Sequence, residues 1–266
     1  MATQSLDAPF ELELLGGWLE QQYRADRPDL EALPWGTLDM SAFSAEQLQS
    51  AVTGWTDFVL VERLAAAGAA WVAWLVHRCE APLDVAVVVG NVARDECVHA
   101  ELCARVINEL GGSVAMQYDR SKTFGAPRAM SSDRVRDAAI AAAVELCAGE
   151  TLNLRTLALR RATVTAPLLK QVWTIIGREE AQHSAVGFAF VAWAMPMLSQ
   201  TDIDDMCAAS TRVVEVSRRR DQDIIALPDS WFTQLGVFAT DDRAAYLQAS
   251  AAARAETTAR IAAWRT

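Results

Sequence analysis

Residues 93–99 read Ala-Arg-Asp-Glu-Cys-Val-His and residues 177–183 read Gly-Arg-Glu-Glu-Ala-Gln-His, and these two stretches decide the fold. In each, a glutamate stands three residues before a histidine: Glu96 before His99, and Glu180 before His183. A spacing of i, i+3 puts both side chains on one face of an α-helix, so each pair presents a carboxylate and an imidazole to a single point. With three histidines and sixteen glutamates in 266 residues, the double occurrence is roughly a one-in-a-hundred event by chance. Each stretch also follows an Ala-Pro-Leu turn, residues 81–83 and 166–168, by a similar distance. The two halves read as internal repeats.

Working outward, the helices that carry these pairs have legible limits. Ser44-x-x-Gln47 is a capping signature, and apolar residues at helical spacing from Trp55 through Phe58, Val59 and Leu64 to Trp71 predict one long helix over residues 44–79. Pro82 starts a second over 83–110, which Gly111-Gly112 ends. Ser132 and Asp133 cap a third that runs to about residue 162, and Pro167 opens a fourth that runs to Met195. The polar segment 111–132 is long enough to cross from one end of a bundle to the other. Two more helices are expected at 202–226 and 241–264, and a short one at 8–24. Long helix, tight turn, long helix, long crossover and the same again is the connectivity of a ferritin-like four-helix bundle, in an all-α chain. The expected organisation is an N-terminal extension over 1–43, the bundle over 44–198, and C-terminal helices packing on it over 199–266.

Composition narrows the function classes. With 34 acidic and 24 basic residues the formal charge is −10, which argues against a nucleic-acid partner or an anionic membrane surface. The longest strongly apolar run, residues 185–198, contains Pro196 and falls short of the roughly 20 residues a spanning helix takes, so no transmembrane helix is expected. The acidic N-terminus lacks a secretory pattern, and the expected location is cytoplasmic. The five cysteines never form a Cys-x-x-Cys pair and read as reduced, which excludes rubredoxin-type, thioredoxin-like and zinc-ribbon sites.

Carboxylates and imidazoles together suit iron or manganese, because hard carboxylate oxygens can bridge two cations while each imidazole anchors one. Glu62 lies 20 residues before Pro82, close to the depth of Glu96 and His99 at 14 and 17 residues after it. On the third helix, Glu145 and Glu150 are about 140° apart at 3.6 residues per turn, so an undistorted helix points only one of them at the site. Glu150 is 17 residues before Pro167 and matches the depth of Glu180 and His183 at 13 and 16 after it, so it is the expected contributor. Glu145 is the alternative, or a supporting or substrate-facing group. Among other polar residues, His77 reads as a satisfied core histidine, Glu101 and Glu109 as solvated helix surface, and Arg218-Arg219-Arg220 as a solvated face. Trp55, Trp71, Trp74, Trp173 and Trp193 read as core or subunit interface.

The segments 92–100, 149–151 and 176–183 resemble the ferritin-like superfamily of non-haem di-iron proteins. The resemblance spans roughly residues 50 to 198. It is nearest to bacterial ferritin-like proteins and more distant to di-iron oxygenases and oxidases such as the ribonucleotide reductase small subunit and the arylamine N-oxygenases. It implies Glu62, Glu96, His99, Glu150, Glu180 and His183 as ligands of two iron ions, or of a manganese-iron pair. It also implies Asp95 and Glu179 as acceptors for the imidazole N–H groups of the opposite repeat, Glu179 standing where many members carry Asp. The extra histidine ligand of the arylamine N-oxygenases and the four-cysteine iron site of rubrerythrins have no counterpart in this chain. Tyr23, Tyr118 and Tyr246 all fall outside the four core helices. The expected activity is oxygen-activating oxidation of a small organic substrate, with O2 and an external electron donor as partners and a monomer or homodimer as the assembly. The alternatives are iron or peroxide handling of the ferritin or rubrerythrin type and, third, a non-catalytic helical interaction protein.

Overall fold

In the computed structural model, residue 12, residues 14–113 and residues 130–266 are described, and among them the chain is all-helical with no strand. Helix α1, Gly17–Asp26, begins at a pair of glycines with positive φ, Gly16 at 81° and Gly17 at 64°, so it starts later than the expected 8–24. Residues 8–11 and 13 of that expectation lie outside the described residues. Arg27-Pro28 separates α1 from the single turn α2, Pro28–Glu31.

The long helix α3, Ala45–Arg78, starts at a complete capping box: Ser44 Oγ accepts from the Gln47 N–H, and Gln47 Oε1 accepts from the Ser44 N–H. It ends in a Schellman turn, with Glu80 N–H to His77 O and Ala81 N–H to Val76 O, although the left-handed position is held by Glu80 at φ 57°. Helix α4, Leu83–Glu109, ends in the same turn with Gly111 at φ 74°, where no Cβ opposes it. By length and composition alone α3 could cross a membrane, a property that the sequence reading gave to no segment. Here it is the first bundle helix, with Val59, Glu62, Ala69 and Val72 buried.

Gly112 lies against Val52 near the start of α3, whereas Ser131 O accepts from Arg78 at its end. So α4 finishes and the next helix begins at opposite ends of the bundle. Residues 114–129 between them lie outside the described residues. Helix α5, Arg134–Ala142, is capped by Asp133, passes into a π-helical segment, Ala143–Gly149, and continues as α6, Glu150–Thr163. Helix α7, Pro167–Ala194, returns alongside it with Pro at the first turn. The bundle is completed by α8, Gln200–Ala226, against the π segment, and α9, Arg243–Ala262, against α6 and α8.

The core is layered. One apolar cluster holds Trp55 and Val59 of α3, Val98 and Leu102 of α4, Leu157 of α6, and Trp173 and Ile176 of α7. A second, at the other end, holds Ala69 and Val72, Val89 and Val92, Leu146 and Cys147, and Phe190 and Val191. Glu62, then Glu96 and His99, then Glu150, then Glu180 and His183 stand where the two clusters meet.

Several single-residue expectations change. His77 is exposed, because it sits at the outer end of α3. Glu101 is buried, since α1 lies over it and supplies the Tyr23 hydroxyl and Arg24 Nη1, the latter at 2.8 Å. Trp55 and Trp173 stack in the core with ring centroids 4.8 Å apart, while Trp74 is exposed and stacks on Trp71. Of the cysteines, 79, 103, 147 and 207 are buried, 97 is exposed, and all are free.

Candidate metal centre

Between the two apolar layers, side chains from four helices converge. Glu62 comes from α3, Glu96 and His99 from α4, Glu150 from the start of α6, and Glu180 and His183 from α7. All are buried, Glu96 and His99 completely. Two groups have ligand atoms that all lie within 4.8 Å of one another: Glu62, Glu96, His99 and Glu180, and Glu96, Glu150, Glu180 and His183. Each group could hold a metal ion, and Glu96 and Glu180 belong to both.

The two imidazoles are set alike. His99 Nδ1 faces Glu96 Oε2 at 3.1 Å, Glu180 Oε1 at 3.6 Å and Glu62 Oε2 at 3.7 Å. Its Nε2 lies 3.0 Å from Glu179 Oε2, a residue of the other repeat. His183 Nδ1 faces Glu96 Oε1 at 3.1 Å and Glu180 Oε2 at 3.3 Å, and its Nε2 lies 3.5 Å from Asp95 Oδ2, again of the other repeat. A carboxylate accepts only, so Glu179 and Asp95 hold the proton on Nε2 of a neutral ring. That leaves the Nδ1 lone pair aimed at carboxylate oxygens. The arrangement is repulsive unless a proton or a cation stands between them. Glu96 Oε1 is a case in point: despite its 3.1 Å approach to His183 Nδ1, it is buried and engages in no well-formed hydrogen bond.

The electrostatics express the same demand for positive charge. Burial would lower the basicity of His99, yet hydrogen bonds to Glu179, Glu180, Glu62 and Glu96 outweigh it and raise its pKa well above the ordinary value. For His183, burial is likewise outweighed by Asp95, Glu180 and Glu96, and the pKa rises to about 11. Burial raises Glu62 to about 8, and burial together with the Glu180 charge raises Glu150 well above the carboxylate range. Glu180 is held well below that range, because hydrogen bonds from Glu150, His183 and His99 overcome its own burial. Without cations, the cluster keeps protons instead.

The third helix departs from the geometry assumed for it. A π turn closes i→i+5 rather than i→i+4, so residues five apart stack instead of diverging by about 140°. Glu145 and Glu150 therefore both reach the wall of one cavity of about 600 Å³, bounded by α3, the π segment, α6, α8, α9 and the segment between α8 and α9. Glu150 belongs to the ligand groups and Glu145 does not. Glu145 instead rests by α3, its Oε2 3.3 Å from where a Cβ on Gly68 would stand.

Two arginines escaped the sequence reading. Arg27, buried between α1 and α2, pairs its Nη2 with Glu179 Oε1 at 3.1 Å and with Asp29 Oδ2 at 3.0 Å. It links the N-terminal segment to the acceptor of His99 across 152 residues of sequence. No local motif signals such a contact. Arg160, on α6, lines the cavity; its only sequence signal is a basic residue on the same face as Glu150, Asn153 and Thr156. Comparison with known proteins finds no match for this chain, neither a family model, nor a curated protein, nor a solved structure.

Proposed function

We propose that this chain is a ferritin-like dimetal protein that binds two iron ions, or a manganese-iron pair, and activates O2 to oxidise a small organic substrate with electrons from an external donor. The observation that carries the reading is the sharing of Glu96 and Glu180 between two four-ligand groups, one of which reaches a cavity through Glu150. Glu62 and His99 would hold one ion and Glu150 and His183 the other, with Glu96 and Glu180 in common. The residues fit that load. The four carboxylates carry four negative charges, which two divalent cations balance, and oxygen-rich sets with one imidazole each suit iron or manganese better than softer metals. Bound iron would supply the redox chemistry toward O2.

The chain's own residues do the rest. Glu179 and Asp95 keep each Nε2 protonated, so each Nδ1 stays free to ligate. Arg27 helps to keep Glu179 ionised as an acceptor, since burial alone would raise Glu179, and His99, Arg178 and Arg27 together lower it. The apolar layers above and below limit water at the centre, and Glu150 is the ligand facing the cavity through which a substrate would arrive.

Metal analysis after anaerobic loading with ferrous iron, followed by O2 uptake with and without a reductant, tests the proposal. Close to two ions per chain and reductant-dependent O2 uptake are expected. A reading near zero, or a single tightly held zinc, would sink the dimetal assignment. Oxidation of ferrous iron far beyond two per chain would move the reading to iron handling.

A further inference from the structure

Arg160 lies ten residues beyond Glu150 on α6, about 15 Å along the axis at the helical rise, and both line the same cavity. Arg160 is buried, only 5 % exposed. Its guanidinium sits over the rings of Trp173 at 4.7 Å, Phe58 at 5.2 Å and Tyr246 at 5.7 Å. Among the described residues its side chain makes one hydrogen bond, Nη2 to Tyr246 Oη at 3.2 Å, and its Nε is buried without a partner. Among the described residues no carboxylate lies within ion-pair distance of it. The acids of the cavity wall are engaged or distant from the interior: Glu150 belongs to a ligand group, Glu145 rests by Gly68 of α3, Asp221 is held by Arg254 at 2.5 Å and Ser250 at 2.9 Å, and Asp57 and Asp223 are exposed.

Aromatic faces attract the charge of a guanidinium, but they do not accept from the N–H donors in its plane. A buried cation with unmet donors, aimed into a cavity, is a feature that a bound anion completes, and the planar fork of Arg matches a carboxylate. The cavity wall includes the apolar side chains of Phe58, Val61, Leu64, Leu152 and Val213, with Asn153 and Thr156 on α6 between Glu150 and Arg160.

We propose that the cavity binds a small organic acid with an apolar body, its carboxylate on Arg160 and its far end against Glu150. As a statement about the oxidised substrate this rests on the function proposed above; as a statement about binding it stands on Arg160 and the cavity. A helical side chain leans toward the N-terminus of its helix, so the guanidinium reaches back toward Glu150 and leaves room for roughly six to eight carbons.

Calorimetric titration of the metal-loaded protein with octanoate, octanamide and octylamine tests the proposal. Octanoate should bind at least tenfold more tightly than octanamide, and octylamine should bind more weakly than either. Arg160→Gln should abolish the preference for the acid while leaving the metal content at the wild-type level, and Arg160→Lys should restore part of it. An amide or amine that binds as tightly as the acid to the wild type would overturn the proposal, whether or not the variants fold. So would a folded Arg160→Gln protein that keeps the preference, which would place the carboxylate on the metals instead. A wild type that prefers the acid through Arg160 but takes up no metal would refute the oxidation reading alone. Two metals with no acid preference would refute the acid site alone.

Discussion

Replacing Gly187 by alanine tests how closely α7 and the π segment are fitted together. A Cβ built at Gly187 falls 2.6 Å from Leu146 Cβ, 3.1 Å from the Leu146 carbonyl carbon and 3.2 Å from Cys147 N. Carbon atoms in ordinary contact are about 3.5–4.0 Å apart, so roughly 1 Å must open between the two elements. The obstacles include backbone, which cannot swing aside as a side-chain tip would. Overpacking of this kind costs about 1–3 kcal/mol, and the better helix propensity of alanine returns about 1 kcal/mol. Taking the upper part of the range because backbone must shift, the net loss is about 2 kcal/mol, or a fall of about 4 °C in Tm for a chain of this size. The opening lies one turn from His183 and from Glu150, so the group that contains both should also bind metal more weakly. Gly90→Ala is the control: a Cβ there meets nothing within 4 Å, and the variant should gain up to about 1 kcal/mol. Calorimetry of both metal-free variants, with a manganese titration of each, measures the two effects. A Gly187→Ala protein that melts at or above the wild type and keeps its metal affinity would refute the claimed fit.

Glu62→Ala and Glu150→Ala should each reduce bound metal from two ions to one, whereas Glu145→Ala should retain both; metal analysis of the purified variants decides it. Arg27→Met should weaken metal affinity about 10-fold, because it removes a cation that keeps Glu179 ionised against His99; competition with a chelator reads this. Glu80→Gly relieves a left-handed residue at the end of α3 and should raise stability by about 1 kcal/mol in denaturant titration. In the metal-free protein, Glu62 rises from 4.5 to about 8 and His183 from 6.5 to about 11, so their contributions are complete below the ordinary values and are lost as pH rises through the folded ones. The depressed Glu96 and Glu180 contribute fully and constantly above about pH 5 and lose that contribution only as the pH falls through the acid range. Tm with chelator should therefore fall steadily from pH 5 to 9, while the gap to the metal-loaded protein widens; a flat or rising metal-free profile would contradict the burial argument.

The helix limits were legible because caps and prolines act locally: Ser44, Pro82, Asp133 and Pro167 each stand where a helix starts. The six clustered residues were legible because period and depth along straight helices place them on facing surfaces, and the structure brings them within ligand distance. Glu145 stands outside the ligand groups, as expected, yet it lines the cavity beside Glu150, because angular reasoning at 3.6 residues per turn fails across a π segment, which α7 approaches closely at Gly187, 42 residues beyond Glu145. Glu101 and Arg27 illustrate a second limit. Their burial depends on where the N-terminal segment lies, which no periodicity within α4 or α7 encodes. His77 failed for a simpler reason, since its place in an apolar helix says nothing of which side faces out near the end.

The distribution of ligands between the two hairpins sets an order of events. The α3–α4 hairpin offers Glu62, Glu96 and His99 to one site and only Glu96 to the other, while α6–α7 offers Glu150, Glu180 and His183 to one and only Glu180 to the other. Neither hairpin alone assembles either four-membered set. An ion arriving at the nascent chain would find at most a partial chelate, easily exchanged, and tight capture would begin only once the second hairpin docks on the first. Retained metal would thus act as a molecular proof of correct assembly, and chains that docked out of register would fail to hold it.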